Sequence, residues 1–121
     1  MRNISFFLTQ EQFCAKSKTV TSRKGWAWLQ AGTLLQSVEK GQGLKKGETV
    51  TRIGPPIRVL DVSRVPLTHI DQDDVRREGF PDMTPQEFID FYARSNKLKV
   101  AERVMITRIE FEYVEGGRSE E

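Results

Sequence analysis

The stretch VMITRIEFEYV, residues 104–114, alternates in character with a period of two. Its odd-numbered positions are mostly apolar or aromatic, and its even-numbered positions 108, 110 and 112 are charged. A period of two is typical of a β-strand with one face turned to the core. We therefore expect this stretch to be a strand of the main sheet.

Other short runs rich in β-branched or apolar residues predict further strands. These runs are ISFFL (4–8), KTVTSR (18–23, a strand or an extended loop), TLLQSVEK (33–40), TVTRI (49–53) and IRVLDVSRV (57–65). Glycine and two prolines at 54–56 separate the last two runs. Because proline cannot donate to a strand ladder, we expect two strands there. The glycine-rich segment GQGLKKGE (41–48) predicts a loop.

Two shorter helices are expected between these strands. TQEQFCAKS (9–17) begins with Thr9, and Gln12 follows at the spacing of a capping box. Cys14 is expected to be a small core residue of this helix. Residues 71–79 form a second helical patch.

MTPQEFIDFYARS (83–95) is the clearest helix of the sequence. Thr84 has the position of an N-cap, proline follows in the first turn, and Glu87 completes the box. The spacing of Phe88, Phe91 and Tyr92 predicts the face that packs on the core. Strands with two or three inserted helices indicate an α+β fold built on a small mixed barrel.

Composition indicates an ordinary soluble protein. The chain has 121 residues, of which 37% are hydrophobic and 30% charged, and we expect one domain over 1–115 with a flexible tail over 116–121. No apolar run approaches the roughly 20 residues of a membrane span, and the amino terminus does not resemble a secretory signal. A single cysteine cannot form an internal disulfide, which favours a cytoplasmic location. One cysteine and one histidine cannot build the usual zinc site, so no metal or other cofactor is expected. The oligomeric state stays open.

Charge is distributed unevenly along the chain. Residues 12–38 carry four cations and no acid, and the run SKTVTSRKGW (17–26) mixes three of these cations with hydroxyl side chains. Residues 71–90 carry seven acids against two arginines. This asymmetry predicts a positive face that attracts phosphate or another anion, although solvated faces alone would give the same pattern.

The order of several segments resembles the ASCH family, whose members have a PUA-like β-barrel. The segments are ISFF (4–7), a short helix, KTVTSRKGW (18–26), LLQSVEKGQGLKKGE (34–48) and DVRREGFPDMTPQEF (74–88). The resemblance covers nearly the whole chain. It implies an α+β fold with a small PUA-like β-barrel of five to six strands and flanking helices.

The family signature, loosely Gly-x-Lys-x-x-Glu-x-Arg, falls on residues 16–23 of this chain. Lys18 and Arg23 match it, while Lys16 replaces the glycine and Thr21 replaces the acid. Threonine at this position is also the arrangement in small bacterial ASCH amidohydrolases that deacylate N4-acetylcytidine. The resemblance implies a catalytic trio of Lys18, Thr21 and Glu78.

These residue types suit amide hydrolysis, which needs an activated nucleophile and stabilisation of an oxyanion. Thr21 would be the nucleophile, and Lys18 the base if burial lowers its pKa. Glu78 would protonate the departing amine or position water. Arg23 would hold the oxyanion or a phosphate. On a regular strand residues 18 and 21 face opposite ways, so this arrangement requires that Lys18 lie in the preceding turn or that the strand contain a bulge.

Three further residues are candidates for substrate binding: Lys24, Trp26 and Lys45. Aromatic rings beside cations are typical of sites for single-stranded nucleic acid, although Trp26 suits core packing equally. Lys45, in the glycine-rich segment, would touch a backbone phosphate. The expected partner is a nucleoside or RNA, and no membrane. The function is an amidohydrolase acting on N4-acylated cytosine nucleosides, or else a non-catalytic module for RNA or a modified base; a ribonuclease is the third reading.

Overall fold

The computed structural model describes residues 1–39, 51–98 and 104–114. Within these residues one sheet is formed by the strands β1 (Arg2–Ser5), β2 (Val20–Arg23), β3 (Leu34–Val38), β4 (Arg52–Pro66) and β5 (Met105–Tyr113). The helices are α1 (Gln10–Cys14), α2 (Gln72–Arg77) and α3 (Pro85–Ser95). Two 3₁₀ turns, Phe7–Thr9 and Leu67–His69, precede α1 and α2. The loop expected over 41–48 and the tail expected over 116–121 lie outside the described residues.

The strand order across the sheet is β1-β3-β4-β5-β2. β1 and β3 are parallel, and the other pairs are antiparallel. The sheet curls into a half-barrel, which confirms the predicted α+β barrel-like architecture. The guanidinium of Arg23 on one edge strand donates from Nη2 to the carbonyl oxygen of Ser5 on the other at 2.6 Å. A side chain thus connects β2 to β1, the two ends of the strand order.

β4 runs without interruption, so the expectation of two strands separated by 54–56 is wrong. Its pairing with β3 shifts register just after Gln36. Beside this shift, Gln36 Nε2 donates to the carbonyl of Gly54 at 3.1 Å, and Ser37 Oγ donates to the next carbonyl, also at 3.1 Å. Side-chain donors satisfy carbonyl groups where the ladder is irregular, so the strand continues through its prolines.

The amino-terminal segment also differs from expectation. The strand ends at Ser5, and a 3₁₀ turn that begins at Phe7 takes up the end of the run expected to be a strand. Thr9 is the N-cap residue of α1, but within the described residues its side chain makes no capping hydrogen bond. Cys14 is exposed rather than buried, and its thiol donates to the carbonyl of Ile53 at 3.3 Å.

Helix α3 forms as the sequence predicts. Thr84 accepts a hydrogen bond from the backbone of Glu87, whose side chain accepts one from the backbone of Thr84, and this completes the capping box. Phe88 and Tyr92 are buried, and Phe91 packs against the same apolar cluster. Because β5 alternates, it contributes to two apolar clusters: Ile106 belongs to the cluster of α3, and Ile109 and Phe111 belong to that of β1 and α1. Within the described residues, every helix is too short or too polar to cross a lipid bilayer.

Candidate active site

A cavity of about 220 Å³ opens between the start of β2, the end of α2 and one face of α3. Its lining includes a polar group formed by Lys18, Thr21, Ser22, Arg23 and Glu78. Its lining also includes an aromatic group, Phe80, Phe88, Phe91 and Tyr92. The cavity therefore combines charged groups with flat aromatic rings.

Lys18 reaches the cavity because it lies before β2 rather than on it. The strand begins at Val20, so the alternation of a strand does not apply to Lys18. The backbone here is held firmly: the Tyr113 hydroxyl donates to the carbonyl of Lys18 at 2.5 Å, and the amide of Thr19 donates to the carbonyl of Arg77 at 2.7 Å. Lys18 and Thr21 can therefore face one cavity, as the enzyme reading requires.

The end of α2 directs Glu78 into the same cavity. Glu78 is the C-cap, and Gly79 follows it with a φ of +104°. The amide of Phe80 donates to the carbonyl of Val75 and that of Gly79 to the carbonyl of Arg76, which is the Schellman pattern. A Cβ on Gly79 would lie 2.6 Å from the Gln12 side chain. Only glycine therefore allows this turn to pack against α1.

Lys18 and Glu78 form a buried ion pair. Lys18 Nζ donates to Glu78 Oε1 at 2.6 Å and to the Glu78 backbone oxygen at 3.0 Å. Burial lowers the pKa of the Lys18 ammonium, and the Glu78 carboxylate opposes this effect only in part. When the ammonium loses a proton, its two remaining N–H groups can still serve these two contacts, and the nitrogen lone pair can then accept a proton.

The second carboxylate oxygen of Glu78 is bound by a residue that sequence reasoning missed. Ser22 Oγ donates to Glu78 Oε2 at 2.5 Å, and Ser22 is buried. The only sequence signal was the run of hydroxyl residues in 17–26, because alternation alone would turn Ser22 away from Thr21. Each oxygen of the carboxylate has a donor, so the orientation of Glu78 is fixed.

Thr21 is buried on β2 and accepts a hydrogen bond from Arg23 Nε at 3.1 Å. That contact uses an oxygen lone pair and leaves the hydroxyl proton for a base. The Arg23 guanidinium also lies over the ring of Phe6, 5.2 Å from its centre. Burial lowers the pKa of Arg23, which Glu78 opposes. Arg23 thus contacts both the candidate nucleophile Thr21 and the aromatic ring of Phe6 in the cavity lining.

Among the described residues, the structure does not bring the remaining predicted binding residues together in the cavity. Lys24 is exposed and lines the cavity, which gives the lining three cations and one acid. Trp26 is outside the lining and packs against the apolar cluster of β1 and α1. Trp26 stacks on Trp28 with ring centres 5.3 Å apart, and the guanidinium of Arg2 lies over Trp28. Lys45 lies outside the described residues.

Metal chemistry has no evident ligands in the part of the chain that the structure describes. No group of three or more histidine, cysteine, aspartate or glutamate side chains converges there. The polar groups that line the cavity are instead two amines, a guanidinium, a carboxylate, a side-chain amide and several hydroxyls.

Comparison with known proteins identifies the fold. No family model matches the chain, and no curated protein matches it. Solved structures do match it, among them the ASCH domain from Lactobacillus crispatus JV V101 and protein EF3133 from Enterococcus faecalis V583, of the DUF984 family. Each aligns with a TM-score of 0.59 and 16% identity over 88% of this chain and 70% of the solved chain. The chain has an ASCH-domain fold.

The ASCH-domain fold agrees with the resemblance carried by residues 18–26 and 74–88. At 16% identity the likeness to these solved structures shows the fold alone. Arguments about chemistry therefore depend on the cavity of this chain, where a lysine, a threonine and a glutamate from distant segments line one space.

Proposed function

We propose that this ASCH-fold protein is an amidohydrolase that removes the acyl group from N4-acylated cytosine nucleosides such as N4-acetylcytidine. The observation that carries the proposal is the buried contact of 2.6 Å between Lys18 Nζ and Glu78 Oε1, in the cavity that Thr21 also lines. A buried lysine whose pKa is lowered is the kind of base that a threonine hydroxyl needs.

In the first step the Lys18 amine takes the Thr21 hydroxyl proton as the oxygen attacks the acyl carbonyl carbon. The bond between this carbon and the cytosine N4 then breaks. The Lys18 ammonium returns its proton to N4, which leaves as the amine of cytidine. Glu78 Oε1, already at 2.6 Å from the nitrogen, stabilises the ammonium while it exists.

The second step regenerates the enzyme. Water, deprotonated by the Lys18 amine, attacks the ester on Thr21, and the Thr21 oxygen regains a proton as the carboxylic acid leaves. In both steps negative charge develops on the carbonyl oxygen. Arg23 has N–H groups beyond those that bind Thr21 and Ser5, and these supply the donors for that oxyanion.

The direct test is incubation with N4-acetylcytidine followed by chromatography for cytidine. The wild-type protein should release cytidine, and Lys18→Arg should not, because a guanidinium stays protonated and cannot act as a base. Thr21→Ala should also lose activity, by several orders of magnitude. Lys97→Arg is the control, since it makes the same change at an exposed lysine that does not line the cavity. Turnover by Lys18→Arg at the wild-type rate would reject the mechanism.

A second candidate function is recognition of RNA or a modified base without chemistry. The stacked pair of Trp26 and Trp28 favours it, because Trp28 is 58% exposed and carries the Arg2 guanidinium over its ring. Exposed aromatic rings beside cations stack on unpaired bases. Trp28→Ala should then weaken binding of a single-stranded RNA by about 1–3 kcal/mol. An unchanged affinity in a fluorescence titration would argue against this second function.

A further inference from the structure

Tyr92 carries a polar group that the fold itself does not use. The residue is 7% exposed on α3, and its hydroxyl is a buried side-chain atom with no hydrogen-bond partner among the described residues. Buried hydroxyl groups in proteins are almost always hydrogen-bonded, and an unpaired one lowers stability. Because the unpaired hydroxyl lowers the stability of the protein, we look for a role for it in binding a ligand.

The position of Tyr92 indicates such a role. Tyr92 lines the same cavity as Lys18 and Glu78. Its ring stacks against Phe88 with centres 6.1 Å apart. The charges of Arg23 and Glu78 both act on the pKa of the phenol, so its hydroxyl lies near these two groups of the cavity.

The charge state of the phenol defines what it can bind. Burial raises the pKa of Tyr92 to about 12, which Arg23 opposes and Glu78 reinforces. At neutral pH the group is an uncharged O–H donor. An uncharged, desolvated donor suits a neutral carbonyl oxygen, whereas an anionic group would be bound by the cations Arg23 and Lys24.

We propose that the Tyr92 hydroxyl donates a hydrogen bond to the ring carbonyl oxygen of the pyrimidine base, and so selects cytosine over bases that lack this oxygen. The inference rests on the proposed function, because it names how the same cavity recognises its substrate. The flat rings of Phe80 and Phe91 line the cavity beside Tyr92 and pack against the faces of a planar base. Tyr92 is thus a specificity-determining residue.

Calorimetric titration with cytosine and with 4-aminopyrimidine tests the proposal, because 4-aminopyrimidine keeps the ring and the exocyclic amine but lacks the ring carbonyl and, with it, the N1 proton of cytosine. Titration at mildly alkaline pH keeps both bases uncharged. The wild-type protein should prefer cytosine, and Tyr92→Phe should lose about fivefold in affinity for cytosine with no loss for 4-aminopyrimidine. Equal loss for both bases, no loss for either, or wild-type protein that binds neither would overturn the proposal.

Thermal unfolding without ligand provides the control for folding. Tyr92→Phe should melt at the wild-type temperature or above it, since it removes an unpaired donor. Tyr113→Phe is the matched variant and should melt lower, because it loses the 2.5 Å bond to the Lys18 carbonyl. A similar fall for Tyr92→Phe would mean that the hydroxyl has an internal partner, and would overturn the proposal.

The titration does not depend on turnover. A protein that prefers cytosine through Tyr92 but leaves N4-acetylcytidine intact would reject the hydrolase and retain the Tyr92 assignment. A protein that hydrolyses N4-acetylcytidine but shows no effect of Tyr92→Phe on the choice between the bases would retain the hydrolase and reject the Tyr92 assignment.

Discussion

Lys18 and Glu78 are 60 positions apart in the chain, and their charged atoms are 2.6 Å apart in the fold. The two side chains are 2% and 3% exposed. Attraction between the charges must offset a desolvation cost of several kcal/mol for each ion, so neither residue is tolerated well without the other. The stability of the protein and the chemistry proposed for its cavity therefore depend on the same pair.

Lys18→Met should destabilise the protein by about 3–5 kcal/mol, because it leaves the Glu78 carboxylate buried without its partner. The double variant Lys18→Met/Glu78→Leu should recover most of this loss, since it removes both charges and fills the space with apolar groups. Urea unfolding of the wild type, the two single variants Lys18→Met and Glu78→Leu, and the double variant measures the coupling energy between the two side chains. Additive losses would mean that the pair is not coupled in solution.

The pH dependence of stability should show the lowered pKa of Lys18. In the unfolded chain a lysine titrates at about 10.4, and burial lowers the pKa in the folded protein. Between the two values the unfolded state binds more protons, so the free energy of unfolding rises with pH, by at most about 1.4 kcal/mol per pH unit. The rise ends as pH passes the unfolded value.

The reference for that measurement is the double variant Lys18→Met/Glu78→Leu. All other titrating groups are the same in the two proteins, so their contributions cancel when the free energies of unfolding are subtracted. The difference in free energy of unfolding between wild type and this variant should shift in favour of the wild type from neutral pH towards about pH 10. A difference that stays constant over this range would mean that Lys18 keeps its proton when folded.

Ser22→Ala should reduce deacylation while the fold survives. The change leaves Glu78 Oε2 buried without the donor that now lies at 2.5 Å, which costs about 1–3 kcal/mol of stability. The carboxylate is then free to rotate, so support for the Lys18 ammonium weakens and kcat should fall more than KM rises. Ser63→Ala, on a half-exposed position of β4, is the control. Equal kinetics for both variants would contradict a role for Ser22.

Gly79→Ala should destabilise the protein and lower activity together. Alanine at a φ of +104° costs about 1–2 kcal/mol, and its Cβ would also meet the Gln12 side chain at 2.6 Å. Gly32→Ala is the matched control, because Gly32 has a φ of +91° with nothing within 4 Å. Both should lose stability in thermal unfolding, but only Gly79→Ala should displace Glu78 and slow deacylation. Equal activity in the two variants would contradict this.

Local signals in the sequence predicted local structure well. The capping box at Thr84 and Glu87 and the strand alternation over 104–114 depend on neighbours within a few residues, and both appear in the structure. The break expected at the prolines of β4 did not occur, because the side chains of Gln36 and Ser37 on another strand satisfy carbonyl groups there. Proline propensity is a local rule, and a tertiary contact overrides it.

The sequence by itself determined where most strands and helices form along the chain and the basic character of residues 12–38. Through family resemblance it also predicted the trio Lys18, Thr21 and Glu78, whose role in catalysis stays a prediction. Only the tertiary structure decided that Ser22 holds the carboxylate of Glu78 and that the Tyr92 hydroxyl is buried with no hydrogen-bond partner among the described residues. Periodicity assigns a side chain to a face but does not say what lies opposite it. That depends on how the turn at Gly79 and the capped helix α3 are packed against β2, and packing joins residues that are far apart in the chain.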